Sequence, residues 1–237
     1  MLAIDGLDPG LVEKWRLGPL LQEVHGVHDP RAGLGEGEPI YTPLVWSSFL
    51  LGEPAHKYGL TMREVRIRRD CVGYGLLSPL YRLKLRLLGG RKLGVRRLLM
   101  KLGLYNIDRV ARALHEIESL PPEAVERTFV REAERRGYSV WIGEFPGLGD
   151  PYYASVRAKF SLYFNLSLEE RRRRAEGLYK HDKAVIEEAS RALRDHDLVV
   201  CYVAIIDIAN HMFYLSLIHI SEPTRPRLIS YAVFCLK

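Results

Sequence analysis

Two aspartates, a threonine and a histidine occupy the positions in this chain best suited to chemistry. Asp5 closes the apolar run Leu2-Ala3-Ile4 and is followed by Gly6. Asp207 and His211, spaced Asp-x-x-x-His, come at the end of a second and longer apolar run, Leu198 to Ile206. Between them in order lies Thr42, ahead of Pro43 in a segment containing Trp46, Ser47 and Ser48. Carboxylates at the ends of two buried strands gather negative charge at one edge of a sheet. Charge so placed needs a partner, and a donor set of carboxylate and imidazole suits a divalent cation.

The elements that must position these groups follow from the apolar pattern. An uninterrupted run rich in β-branched residues reads as a strand buried on both faces, which is the mark of a parallel sheet. In open α/β sheets the chemistry sits at the carboxyl ends of such strands. Strands are expected at 2–4, 138–143 and 198–206. Helices are expected at 10–24, divided at Gly18-Pro19, and at 45–51 after the Thr42-Pro43 turn, with residues 26–39 as loop. Ser167 and Glu170 form a capping box for a long helix running to about Asp195, with Val185, Ile186, Ala189 and Leu193 on one face. Helix followed by buried strand is the rhythm of a doubly wound, mostly parallel α/β sheet.

Residues 61–137 break that rhythm. They read as a helical insertion or cap, with helices at 107–120 and 122–137 and a basic stretch from Arg82 to Lys101 that continues as a helix over Arg91–Leu104. No acidic residue occurs between Asp70 and Asp108. The expected division is therefore a core at 1–60 resumed at 138–214, an insertion at 61–137, and a tail at 215–237.

The tail resembles a translated sequencing-library adapter. Leu215 to Arg225 (LSLIHISEPTR) and Ile229 to Leu236 (ISYAVFCL) each correspond to fixed adapter sequence, and Pro226-Arg227-Leu228 fits a variable index between them. On this reading the native chain runs to about Tyr214, the C-terminal part of the domain is missing, and an edge of the sheet is left unpaired. The tail is set aside as a fusion scar would be.

The net charge of +6 includes Arg225, Arg227 and Lys237 against Glu222, which leaves +4 for residues 1–214. Cys71 and Cys201 give neither a disulfide framework nor zinc-knuckle spacing. Asp5 interrupts any signal-peptide core, and residues 1–214 contain no apolar run long enough for a membrane span. A cytoplasmic protein is expected, with no membrane span and no stable nucleic-acid partner.

The segment Leu2-Ala3-Ile4-Asp5-Gly6-Leu7-Asp8-Pro9 resembles the first-strand Asp-Gly motif of the alkaline phosphatase superfamily, nearest its type I phosphodiesterase/nucleotide pyrophosphatase branch. Tyr41-Thr42-Pro43 with Trp46, Gly52, Pro54 and Tyr58-Gly59-Leu60 resembles the nucleophile motif, and Asp207-Ile208-Ala209-Asn210-His211 the metal-binding Asp-x-x-x-His pair. Tyr58 stands where the family has histidine, with His56 two residues early. The family's later Asp-His pair and final histidine have no counterpart before Tyr214.

The resemblance implies an alkaline phosphatase type of core and metal-dependent phosphoester hydrolysis. Asp5 and Thr42 would bind one divalent ion, and Asp207 and His211 a second, most simply zinc, with manganese as an alternative. Thr42 would be the nucleophile, activated by coordination. A small anionic phosphoester or nucleotide is the implied substrate, and the chain as it stands is expected to be inactive. A phosphoglycerate mutase-like or sulfatase-like enzyme, and a non-catalytic polyanion-binding module, are the alternatives. Simpler roles compete at each position. Thr42 could be a helix cap, Asp8 a turn residue before Pro9, and Ser47 or Ser48 the hydroxyl instead. Trp46 reads as packing, and His25, His28, His115, His181 and His196 as surface residues. The basic run reads first as the solvated face of cap helices.

Overall fold

A computed structural model describes residues 1–20, 28–88, 99–100, 102–163, 165–214 and 231–233. Three parallel strands form the centre: β1 (Leu2–Ile4), β2 (Val140–Ile142) and β3 (Leu198–Val203). β3 lies in the middle, with Leu2 opposite Cys201 on one side and Val140 opposite Leu198 on the other.

Both faces of β3 are covered, as the unbroken apolar run requires. Val199 and Cys201 pack on Val185, Ala189 and Ala192 of the long helix α9 (Leu168–Ala192). Val203 meets Ile4, Leu7 and Val12, the last from α1 (Pro9–Lys14). On the opposite face Val200 and Tyr202 join Ala3, Trp46, Leu50, Phe145 and Tyr153. Trp46 and Leu50 come from α2 (Thr42–Leu51), Tyr153 from α8 (Pro151–Tyr163). The result is a helix–sheet–helix sandwich of α/β class. Trp46 packs edge-on against Phe49, Phe145 and Tyr202, so it is core.

The region expected as an insertion contains, in its described part, both helices and turns, the helices being α3 (Met62–Tyr74), α4 (Ser78–Leu88), α5 (Ile107–Glu118), α6 (Pro122–Val125) and α7 (Phe129–Arg135). A second apolar cluster containing Leu44, Val65, Leu114, Ile117 and Ala154 joins α3 and α5 to α2 and α8. Among the described residues, no helix is long and apolar enough to cross a membrane.

Several expectations need correction. β3 ends at Val203, and Ile205–Ala209 form a short helix, α10, that runs on into a π-helical turn, Asn210–Tyr214. The apolar run hides this boundary because strand and buried helix share its composition. The chain turns where Asp182 of α9 accepts hydrogen bonds from the Ala204 and Ile205 amides, at 3.0 and 2.8 Å. α2 starts at Thr42 rather than Val45. The stretch 122–137 is split because Thr128 caps a new helix with its side chain. α8 forms where the sequence shows no helical apolar period. α1 ends at Lys14, a 3-10 turn spans Gly18–Leu20, and residues 21–24 of the expected helix lie outside the described residues. Pro30–Gly33 form a 3-10 turn within the expected loop. The capping box at Ser167 and Glu170 forms, but Ile186 and Leu193 point outward, and Leu178, Asp182, Val185 and Ala189 make the buried stripe. Of the basic helix expected at Arg91–Leu104, residues 91–98 and 101 lie outside the described residues. Where the sequence leads to an unpaired sheet edge, the edge at β1 carries β4 (Tyr231–Val233), antiparallel, from the tail. Any β-competent segment satisfies an open edge in this way.

Candidate metal and nucleophile site

The turn leaving β1 and the helix leaving β3 meet at the carboxyl ends of adjacent parallel strands. The Asp5 amide still donates to the Val203 carbonyl, at 3.0 Å, so Asp5 is held in the ladder while its side chain leaves it. Gly6 follows with φ +69°, and a Cβ there would sit 2.6 Å from the Asp207 Cα. Only glycine allows that approach, and the approach sets Asp207 beside Asp5.

Thr42 comes to the same place from the other direction. Its hydroxyl donates to Asp5 Oδ2 at 3.1 Å, and the Tyr202 hydroxyl donates to the same oxygen at 2.8 Å. Thr42 is therefore not a helix cap; Tyr41 occupies that position, without a side-chain cap bond. Asp207 Oδ1 and His211 Nε2 lie 3.5 Å apart, one helical turn from each other. The His211 ring stands edge-on to Phe160. The four residues singled out in the sequence thus share one locality, although they come from three segments.

The electrostatics are those of a site short of positive charge. Asp5 is almost fully buried. Burial first, and then the negative charge of Asp207, push its pKa up from 3.8 to about 6, against the hydrogen bonds from Tyr202 and Thr42. The Asp207 carboxylate, accepting from the His211 ring, raises the His211 pKa above its usual 6.5. Tyr202, buried and facing Asp5, keeps its proton far above the ordinary phenol range and so remains a donor.

A buried ionic network fixes the surroundings. The Arg157 fork reaches Glu118 at 2.5 Å and Asp150 at 2.7 Å, and the Tyr41 hydroxyl donates to Glu118. Burial opposes the charge on Arg157, but Glu118 and Asp150 more than offset this and hold its pKa well above the ordinary value. Because Tyr41 immediately precedes Thr42, the network ties the start of α2 to α5 and α8. On the other side, Asp182 caps α10 and also accepts from the Tyr153 hydroxyl at 2.9 Å. Arg171 donates to the Met212 carbonyl at 3.1 Å and pins the turn that carries His211.

Sequence reasoning missed Tyr202, Arg157, Glu118, Asp150 and Asp182. Two of them carried a signal: Asp182 falls on the Leu178-Val185-Ala189 stripe of α9, and Glu118 follows Leu114 and Ile117 on the inner face of α5. A carboxylate on a buried stripe demands a partner. The alternative hydroxyls are structural. Ser48 donates to the Leu44 carbonyl and accepts from the Ala55 amide, while Ser47 is buried without a hydrogen-bond partner among the described residues. Of the histidines expected at the surface, His28 is exposed and His25 lies outside the described residues. His181 is instead stacked on Tyr152 at 3.7 Å, and His115 and His196 are half-buried.

Among the described residues, no group of three or more His, Cys, Asp or Glu side chains is gathered as a ready metal cage. Comparison of the chain with family models returns no match. Comparison with curated proteins and with solved structures likewise returns none.

Proposed function

We propose that this chain carries part of the active site of a metal-dependent phosphoester hydrolase resembling the type I phosphodiesterase branch of the alkaline phosphatase superfamily. The observation that carries the reading is the meeting of Asp5, Thr42, Asp207 and His211 at the ends of β1 and β3, with Asp5 hard to ionise because it is buried and, second, because Asp207 lies near it. Two carboxylates that repel each other in a buried place are relieved by a cation. The donor set fits divalent zinc or manganese, with Asp5 and Thr42 as one pair of ligands and Asp207 and His211 as another. Two donors per ion leave further positions for water, substrate oxygens or ligands from outside this site.

Divalent ions, when bound, would neutralise phosphoryl charge and favour the ionised threonine oxygen. The residues do the rest. Thr42 attacks phosphorus, the new Oγ1–P bond forms, and the bond from phosphorus to the departing ester oxygen breaks. The threonine proton has an acceptor in Asp5 Oδ2, and the leaving oxygen takes a proton from solvent. Water then attacks the phosphothreonine: its oxygen forms a new bond to phosphorus, the Oγ1–P bond breaks, the water's proton passes to solvent, and the proton held by Asp5 returns to the Thr42 oxygen. Tyr202 orients Asp5 throughout, and the Tyr41–Glu118–Arg157 network keeps Thr42 in place. A phosphodiester or nucleotide pyrophosphate is the substrate class.

The test is to read the source DNA across codon 214 from an adapter-free library and express the frame it gives. The reading expects zinc-stimulated hydrolysis of bis-p-nitrophenyl phosphate, loss of at least ~100-fold on Thr42→Ala, and a phosphothreonine trapped at position 42. Unchanged turnover in Thr42→Ala, or turnover indifferent to chelator, overturns it.

A further inference from the structure

We propose that α4 and the turn before it form a docking surface for an anionic lipid bilayer. The helix reads Ser78-Pro79-Leu80-Tyr81-Arg82-Leu83-Lys84-Leu85-Arg86-Leu87-Leu88. At about 100° per residue, Leu80, Leu83 and Leu87 fall within about 60° of one another. That stripe does not face the protein. Leu80 is 64 % exposed, Leu83 50 % and Leu87 73 %, and Leu76 in the preceding turn is 98 % exposed. Leu102 and Leu104, where the chain returns, are exposed as well. The helix is held from its other side, where Tyr81 is buried and donates to Asp70 at 3.0 Å.

Charge identifies the partner. Arg82 and Arg86 fall on one flank of the leucine stripe and Lys84 on the other. Eight Lys and Arg residues lie between Arg82 and Lys101, and no Asp or Glu occurs from Cys71 to Ile107. Leucines between basic flanks are the pattern of a helix lying in the plane of a membrane interface. The leucines enter the acyl boundary, and the long basic side chains reach back to headgroup phosphates. A nucleic acid would leave the leucines in water and find no stacking ring, since Tyr81 and Tyr105 are buried against Tyr74. A second copy would set two basic faces against each other.

The test is flotation of the full chain with phosphatidylcholine vesicles, alone or mixed equally with phosphatidylglycerol. Binding is expected only with the anionic vesicles and weakens with salt. Leu80→Ser/Leu83→Ser/Leu87→Ser should lower partitioning roughly 30-fold, and Arg82→Gln/Arg86→Gln roughly 10-fold or more. All five side chains are on the surface, so the fold should persist, which circular dichroism checks. Leu168→Ser, equally exposed on α9, should bind as the parent does. No binding to anionic vesicles, equal binding to both kinds, or binding retained in the leucine variant overturns the proposal. Leucine-dependent self-association without vesicle binding assigns the face to a second copy, and leucine-independent binding to RNA assigns it to a polyanion. Either result also overturns it.

Discussion

Replacing Asp5 with asparagine should stabilise this protein at neutral pH while destroying its affinity for metal. The Asp5 pKa rises from 3.8 to about 6 in the fold. At about 1.4 kcal/mol per pKa unit, holding the side chain ionised costs about 3 kcal/mol. Because the folded pKa is the higher one, the stability contributed by the protonated carboxyl is fully present below about pH 4 and is lost as pH rises through about 6. Asparagine is nearly isosteric, is neutral at every pH, and can still accept the Tyr202 hydrogen bond. Asp5→Asn should therefore match the parent near pH 4 and exceed it by about 2–3 kcal/mol near pH 7.5. For a chain of this size that is about 5–10 °C in Tm. Thermal unfolding followed by circular dichroism, in chelator and across that pH range, gives the comparison. Added zinc should raise the Tm of the parent and leave that of Asp5→Asn unmoved. Equal Tm differences at both ends of the pH range, or a less stable variant at neutral pH, would refute the reasoning that Asp5 is a strained carboxylate awaiting a cation.

Two further substitutions probe the frame around the site. Arg157→Ala leaves Glu118 and Asp150 buried without their cation and should cost about 3–5 kcal/mol in denaturant unfolding at neutral pH. The deficit should shrink in acid, because burial raises the pKa of both carboxyls and they take up protons as pH falls. Arg157→Lys should recover only part, since an ammonium lacks the fork that meets two carboxylates. Asp182→Ala removes the acceptor for the Ala204 and Ile205 amides and should destabilise by about 2 kcal/mol. Because α10 carries Asp207, zinc affinity measured by competition with a chromogenic chelator should also fall, whereas a purely structural role would change stability alone.

The candidate site's residues were legible in the sequence where local chemistry and chain order agree. Asp5 after a short apolar run and Gly6 behind it, Thr42 ahead of Pro43, and Asp207 four residues before His211 are all visible without coordinates, and all four come together. The groups that hold them were not visible, because their partners lie far along the chain. Tyr202 looks like one more apolar strand residue until Asp5 is set 2.8 Å from its hydroxyl. Arg157 sits in a helix with no mark in the sequence, since Pro151-Tyr152-Tyr153 lacks the helical period that marks α5. The boundary at Val203 escaped notice because a buried strand and a buried first turn use the same residues; what separates them is the Asp182 carboxylate from another helix. α4 shows the opposite failure: its leucines and arginines are plain in the sequence, but which of them face outward depends on Tyr81 packing against α3.

The most direct test of the central claim is a zinc titration of the purified chain by isothermal calorimetry, with Asp5→Asn, Asp207→Asn and His211→Ala alongside. Saturable binding is expected, stronger as pH rises through about 6, where Asp5 loses its proton, and strengthening further at higher pH as His211, whose pKa is raised, loses its own; each variant should bind at least ~10-fold more weakly. Absence of saturable binding by the parent chain, or binding that the three variants leave unchanged, would contradict the account.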